Sequence, residues 1–96
     1  MNDHSQQAIK VFKALSDPVR YKIIKLLIEK GELGCTNIAA VFDISAPAMS
    51  HHYRILEYSG LVSNRKSGQH VYLSLNKIVL DTFIPEFKKA HIQKQK

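Results

Sequence analysis

The spacing of hydrophobic residues changes from a helical to a strand-like period near Gly60, and this change constrains the fold more than any other feature. Before Gly60, apolar residues recur every three or four positions, as they do on one face of an amphipathic α-helix. After it, Val71, Leu73 and Leu75 alternate with polar neighbours, which is typical of a half-buried β-strand. The sequence therefore predicts a mainly α protein whose helical part is followed by a β-hairpin that turns at Ser67-Gly68.

Capping residues divide the helical part into separate helices. Asp17 is expected to cap a helix that begins at Pro18, because the first turn of a helix does not need the N–H that proline lacks. Ser45 and Asn76 are expected to cap two later helices, and Pro85 is expected to interrupt the last one. The predicted helices are 5–15, 18–30, 35–42, 46–58 and 77–92 with a break near 81–84, and the predicted strands are 61–66 and 69–75.

This order of elements predicts the winged helix-turn-helix fold. Two short helices joined by the tight turn 43–45, with a basic hairpin after the second helix, are typical of that fold. The second helix then enters the major groove of duplex DNA, which is about 12 Å wide, and the hairpin reaches the neighbouring backbone or minor groove. Since 96 residues are enough for one compact domain and not for two, a single domain over residues 1–96 is expected.

The composition favours a polyanionic partner. The chain has 14 Lys and Arg against 8 Asp and Glu, and the resulting charge of +6 points to nucleic acid or an anionic membrane surface. The apolar stretches are much shorter than a bilayer-spanning helix, and the polar N-terminus lacks the apolar segment of a signal peptide. Cys35 is the one cysteine, so no intramolecular disulfide can form. We therefore expect a cytoplasmic protein that binds double-stranded DNA, does not bind membranes and needs no cofactor.

The candidate DNA contacts lie on the helix 46–58 and on the hairpin. Because Met49, Tyr53 and Leu56 form one apolar face of this helix, its polar residues face outwards and can hydrogen-bond to base edges or phosphates. The alternatives are a merely solvated helix face and, for the hairpin, a charged strand edge. His52 is expected to be a partly buried structural histidine or an inward hydrogen-bonding group, with a base contact as the alternative. The predicted DNA-binding residues are Ser45, Ala46, Pro47, Ser50, His51, Arg54, Arg65, Lys66 and His70.

Apolar stripes on the first and last helices predict a homodimer. A monomer of this size is expected to offer these stripes no surface against which to pack, whereas a second copy supplies one. The stripe on the last helix also includes Ile78 and His91. The predicted interface residues are Ile9, Phe12, Leu80, Phe83, Ile84 and Phe87.

Four motifs together resemble the ArsR/SmtB family of bacterial metalloregulators and their non-metal relatives, over roughly residues 8–90. They are Leu15-Ser16-Asp17-Pro18-Val19-Arg20, the helix 45–56, Ser59-Gly60-Leu61-Val62 and the strand 68–75. The resemblance implies a dimer whose first and last helices pack together, operator binding that blocks transcription, and release by an inducer. The sequence does not identify that inducer.

The metal-binding motifs of that family are incomplete in this chain. Where sensors of thiophilic metals carry a Cys-x-Cys-type pair, residues 34–36 supply only Cys35. Where zinc sensors carry Asp-x-His, this chain has Asn76-Lys77-Ile78, and of the ligands further on only His91 remains. Because Ile78 cannot bind a metal and a tetrahedral zinc site needs about four N, O or S ligands, no metal site is predicted.

Cys35 leaves two alternatives open. At a helix N-terminus its thiol has a lowered pKa and serves as a candidate redox switch, or the residue is simply a small buried hydrophobic group. Two rival functions are therefore a metal- or thiol-responsive sensor of the same fold that uses Cys35, and a basic architectural protein that binds DNA without sequence preference. An enzyme is not expected, since Ser50 and His51 occupy adjacent helix positions and cannot act as nucleophile and base.

Overall fold

The computed structural model describes residues 3–92, and this range contains six helices and three strands. They follow one another in the order expected for a winged helix-turn-helix, with one additional short strand. In chain order they are α1 (Asp3–Leu15), α2 (Pro18–Lys30), β1 (Leu33–Gly34), α3 (Cys35–Ala39), α4 (Ala46–Ser59), β2 (Val62–Ser67), β3 (His70–Leu75), α5 (Lys77–Phe83) and α6 (Phe87–Ile92).

The predicted caps begin α2 and α4. The Oδ2 atom of Asp17 accepts hydrogen bonds from the backbone N–H groups of Val19 and Arg20, at 2.9 and 3.1 Å. The Oγ atom of Ser45 accepts from the N–H of Ala48 at 3.3 Å. These bonds satisfy N–H groups that have no acceptor inside the helix, which confirms the boundaries expected from the sequence.

Gly60 ends α4 in the left-handed conformation, with φ 87° and ψ −2°, as the sequence predicts. A Cβ atom at this position would lie 2.6 Å from Nε2 of Gln7. The amide of Gln7 donates a hydrogen bond to the carbonyl oxygen of Ser59 at 3.2 Å. The glycine therefore allows α1 to approach the C-terminal end of α4 closely.

The three strands form one antiparallel sheet in the order β1-β3-β2. Strand β1 pairs Leu33 with Leu73 and was not predicted, because two residues are too few to show an alternating pattern. The hairpin closes at the pair Ser67 and His70, so its turn lies at 68–69 and not at Ser67-Gly68. Gly68 supplies the positive φ, 63°, that a tight two-residue turn requires.

Two helices differ from the predicted ones. Helix α3 has five residues and ends at Ala39, earlier than the predicted end at residue 42. The last predicted helix is divided into α5 and α6 by residues 84–86, slightly later than the break expected near 81–84. Pro85, which lies inside this interruption, accounts for it, because proline cannot donate the N–H that a continuous helix needs.

One hydrophobic core receives side chains from all six helices and from the hairpin. Within residues 3–92, no helix combines the length and the hydrophobicity that crossing a bilayer requires. The buried core residues are Val11, Ala14, Ile23, Ile24, Leu27, Ile38, Met49, Tyr53, Leu56, Leu61, Val62, Leu73, Leu80 and Phe87.

The C-terminal helices pack on this core, which corrects the stripe predicted from the sequence. Leu80 is 1% exposed and Phe87 is 6% exposed, so these two residues are buried without a second copy of the chain. The ring of Phe87 lies 5.2 Å from that of Tyr21 on α2. Ile78, which the stripe included, is 79% exposed, while the side chain of His91 lies outside the part that the structure describes. Of the other predicted interface residues, Phe83 and Ile84 are half-buried, and Ile9 and Phe12 are exposed.

Candidate nucleic-acid interface

Helix α4 has one buried apolar face and one exposed polar face. Met49, Tyr53 and Leu56 are buried in the core, as the helical period predicts. Residues on the opposite face are free to meet a large ligand along most of the helix length. The exposed residues of this face and of the capping position are Ser45, Ala46, Pro47, Ser50, His51 and Arg54.

The rotation of α4 about its axis is fixed by Tyr53. Its hydroxyl donates a hydrogen bond to the carbonyl oxygen of Cys35, the first residue of α3, at 2.9 Å. Burial, with a smaller contribution from Cys35, raises the pKa of Tyr53 to about 12. The phenol is therefore protonated at neutral pH and remains a hydrogen-bond donor. This bond joins the two helices of the helix-turn-helix.

His52 connects α4 to the beginning of α2, and it points inwards as predicted. Nη1 of Arg20 donates to Nδ1 of His52 at 3.1 Å, and Oδ2 of Asp17 lies 3.8 Å from the same nitrogen. Arg20 also donates from Nε to the carbonyl oxygen of Ala14 at 2.8 Å. The cap of α2 and the middle of α4 thus share one polar cluster, which leaves His51, on the neighbouring exposed position, to face outwards.

The hairpin β2–β3, which we call the wing, carries its two cations on opposite faces. Arg65 stands opposite Tyr72 in the antiparallel register, and Lys66 stands opposite Val71. Because successive side chains of a strand point to opposite faces of the sheet, only one of the two cations can face α4. That cation is Lys66, which lines a cleft together with residues of α4.

This cleft lies between α4 and the wing and has a volume of about 500 Å³. It brings together three of the predicted DNA-binding residues, since Ser50 and Arg54 line it from α4 and Lys66 lines it from β2. The complete lining is Cys35, Ser50, Tyr53, Arg54, Glu57, Lys66 and Val71.

Arg65, predicted as a phosphate contact, is instead bound to Glu32 in this structure, with 2.8 Å between Nη2 and Oε1. Hydrogen bonds from Arg65 and Ser74 lower the pKa of Glu32, and the bond to Glu32 raises the pKa of Arg65. Sequence reasoning missed Glu32, because 33 residues separate it from Arg65 and no local pattern connects them. His70, the remaining wing residue of the prediction, is exposed at the beginning of β3.

A second acidic residue that the sequence did not single out fixes the base of the wing. Nδ2 of Asn64 on β2 donates to Oε2 of Glu57 on α4 at 2.8 Å. The wing and the outward face of α4 are therefore joined by a direct side-chain contact, and Lys66 and Arg54 line the same cleft.

The structure contradicts the lowered pKa expected for a redox-active Cys35. The residue is half-buried, and burial, followed by the charge of Glu57, raises the pKa of its thiol. The thiolate needed for oxidation or metal binding is therefore disfavoured at neutral pH. Among the side chains that the structure describes, no group of three or more His, Cys, Asp and Glu residues is placed to hold a metal ion.

The exposed polar face of α4, the short helix before it and the basic wing after it define a winged helix-turn-helix protein of the DNA-binding class. The model of the bacterial regulatory proteins of the arsR family matches residues 17–64, which include both helices of the motif and the first half of β2. The chain belongs to this family, and it is a DNA-binding transcriptional regulator, not an enzyme. The resemblance drawn from the sequence motifs is thereby confirmed.

Curated relatives and solved structures agree with this assignment. The chain is 46% identical over 74 residues to the transcriptional repressor SdpR of Bacillus subtilis, and the matched segment covers 77% of this chain and 81% of SdpR. It is 45% identical over 67 residues to a CadC homolog of Staphylococcus aureus, a cadmium resistance regulatory protein, covering 70% of this chain but 55% of that relative. The structure superposes on HlyU from Vibrio cholerae with a TM-score of 0.79 and 25% identity over the whole of both chains.

Proposed function

We propose that this protein is a transcriptional repressor, folded as a single domain over residues 1–96, that binds a palindromic operator in the cytoplasm as a homodimer. The observation that carries the proposal is the arrangement of Ser50, Arg54 and Lys66 around one cleft, with His51 exposed beside it. A helix that inserts its exposed face into the major groove brings these side chains to base edges and to the adjoining backbone.

Each of these residues has a role that follows from its chemistry. Ser50 and His51 donate or accept hydrogen bonds at base edges, and the guanidinium of Arg54 forms two parallel bonds to a guanine or to a phosphate. Lys66 lies across the cleft from Arg54 and contacts a phosphate, which positions the protein without sequence preference. At the start of α4, the methyl group of Ala46 is suited to contact the methyl group of a thymine.

The dimer that we propose uses the exposed apolar residues of α1. Ile9 and Phe12 are 54% and 53% exposed, although both are hydrophobic. The ring of His4 lies 5.0 Å from that of Phe83, so the beginning of α1 meets the end of α5, where Phe83 and the following Ile84 remain half-buried. Pairing of these surfaces about a two-fold axis presents two α4 helices to successive major grooves, about 34–36 Å apart.

The inducer that releases the repressor is not a metal held by Cys35. Relatives with cadmium or arsenical resistance in their names belong to the same family, but this chain has one half-buried thiol whose pKa is raised. In a titration with zinc, cadmium or arsenite, we expect the complex with DNA to survive stoichiometric amounts. Tenfold weaker binding with micromolar zinc, abolished in Cys35→Ser, would establish a sensor instead.

The proposal is tested by selecting binding sites from random DNA and measuring affinities for the selected duplex, for one half-site and for an unrelated duplex. His51→Ala and Arg54→Ala are expected to weaken operator binding about 10- to 100-fold, or about 1–3 kcal/mol, with little effect on the unrelated duplex. Lys30→Ala, which removes an exposed cation at the end of α2, is the control and should leave the preference unchanged.

Two results contradict the proposal. Equal affinity of the wild type for all duplexes indicates an architectural protein that coats DNA. Equal affinity for the half-site and the full site indicates that the protein does not recognise the operator as a dimer.

A further inference from the structure

Glu32 forms a link across the outer face of the sheet. It lies just before β1, and its carboxylate accepts two hydrogen bonds from Arg65 on β2, at 3.2 Å from Nε and 2.8 Å from Nη2. The hydroxyl of Ser74 on β3 donates to the same carboxylate at 2.8 Å. Because β3 lies between β1 and β2, this one carboxylate connects all three strands.

The guanidinium group of Arg65 is held on its flat face by the ring of Tyr72 and at its edge by the carboxylate of Glu32. The centre of its guanidinium lies 4.6 Å from the centroid of the Tyr72 ring, which stands directly opposite it in the hairpin. Such stacking leaves the edge of the guanidinium free for a carboxylate, and Glu32 occupies that edge in the two-bond geometry that arginine forms best. The side chain is 54% exposed, yet it is held from two directions.

The position of Lys66 depends on this arrangement. Lys66 follows Arg65 in β2, so when Arg65 is held on the outer face, Lys66 points to the inner face and into the cleft with Arg54. The base of the wing is already held by the bond from Asn64 to Glu57. In the more distant part of the wing, from Arg65 to the turn, the Glu32 link is a pair of side-chain hydrogen bonds that connects β2 to the segment before β1.

We propose that Glu32 is a positioning residue for DNA binding: through Arg65 it fixes the wing so that Lys66 meets the phosphate backbone beside α4. This inference rests on the proposed function and extends it, because it assigns a positioning role to Glu32 and a structural role to Arg65, in place of a phosphate contact. Glu32 and Arg65 themselves stay paired when DNA is bound.

The experiment measures affinity for the selected operator and for an unrelated duplex over a range of salt concentrations, at a temperature where every variant is folded. The variants are Lys66→Gln, Arg65→Gln, Glu32→Gln and the double variant Glu32→Gln/Arg65→Gln. Glu29→Gln is the matched control, because it removes an exposed carboxylate near the end of α2 without touching the wing.

The salt dependence separates the two cations. Lys66→Gln should reduce the slope of log affinity against log salt by about 0.9 on both duplexes, which is the value for one lost phosphate contact. Arg65→Gln should leave this slope unchanged and weaken operator binding by about threefold, the scale of a well-ordered exposed ion pair. Relative to Glu29→Gln, Glu32→Gln should weaken operator binding equally, and the double variant no further, because both changes break one contact.

Three results would overturn the inference. A slope that Arg65→Gln reduces as much as Lys66→Gln shows that Arg65 leaves Glu32 to bind phosphate. Tighter operator binding by Glu32→Gln than by Glu29→Gln shows that Glu32 competes with DNA. Operator binding by Glu32→Gln, Arg65→Gln and the double variant that is no weaker than that of Glu29→Gln shows that the link has no role. A wild type that does not prefer the operator refutes the proposed function separately, since the salt slopes on the unrelated duplex still distinguish Arg65 from Lys66.

Discussion

Removing one hydroxyl, in the variant Tyr53→Phe, tests how the DNA-binding helix is attached to the core. Tyr53 is 9% exposed, and its hydroxyl donates to the carbonyl oxygen of Cys35 at 2.9 Å. Phenylalanine keeps the ring and its packing against the core, so the variant removes the hydrogen bond between α4 and α3 and little else. Its effect on unfolding therefore measures that bond.

The expected loss of stability is about 1 kcal/mol. A hydrogen bond inside a protein contributes roughly 0.5–1.5 kcal/mol net, because the unfolded chain forms equivalent bonds with water. In a domain of 60–100 residues, 1 kcal/mol corresponds to a decrease of about 4–8 °C in Tm. Truncation to alanine removes the ring as well, and by analogy with other large buried aromatic residues it should cost roughly 3 kcal/mol or more.

The assay is urea and thermal unfolding followed by circular dichroism, at one fixed protein concentration because association stabilises the folded state. Tyr58→Phe is the control, since Tyr58 is 73% exposed and its substitution should change stability by less than about 0.5 kcal/mol. If Tyr53→Phe and Tyr58→Phe unfold at the same denaturant concentration, the bond to Cys35 does not stabilise the domain, and the orientation of α4 depends on apolar packing alone.

Three further experiments test the pH dependence of the same hydrogen bond, a helix cap and the proposed dimer. Burial raises the pKa of Tyr53 to about 12, whereas the pKa of an unfolded tyrosine is about 10. The stabilisation by Tyr53 is therefore complete below about pH 10 and is lost as the pH rises through about 12. The urea midpoints of the wild type should fall more steeply over this range than those of Tyr53→Phe. Ser45→Ala removes the bond to the N–H of Ala48 and should lower the free energy of unfolding by about 0.5–2 kcal/mol in urea titrations, whereas no change would show that the cap is dispensable. Phe12→Asp should convert the proposed dimer into a folded monomer in sedimentation velocity, while Val41→Asp, at a residue 48% exposed elsewhere, should not; a dimeric Phe12→Asp would place the interface on another surface.

The sequence predicts most of the candidate interface because the relevant signals are local. An α-helix turns by about 100° per residue, so burying Tyr53 on one face of α4 requires Arg54 to leave the core and places Ser50 and His51 with it. His52 was predicted to point inwards for the same reason, although its partners Arg20 and Asp17 were not. Those partners lie at the cap and in the first turn of α2, and no helical period describes a contact between two helices.

The sequence also predicts where helices begin, because a cap forms between neighbours in the chain. Asp17, Ser45 and Asn76 each accept a hydrogen bond from an N–H two or three residues further on, and such a bond needs no other part of the fold. The same locality explains why the turn of the hairpin was placed within one residue of its position, since Gly68 had to supply the positive φ.

Only the tertiary structure decided which apolar and charged side chains were already engaged. The periodicity of the last helix showed that Leu80 and Phe87 need a hydrophobic surface, but the surface that buries them belongs to the same chain. The sequence showed that residue 65 is a cation, but not that the carboxylate of Glu32, 33 residues away, binds it. Periodicity and capping act over a few residues, whereas burial and ion pairing depend on distances that exist only after the chain has folded, and they decide whether a side chain is free to meet DNA.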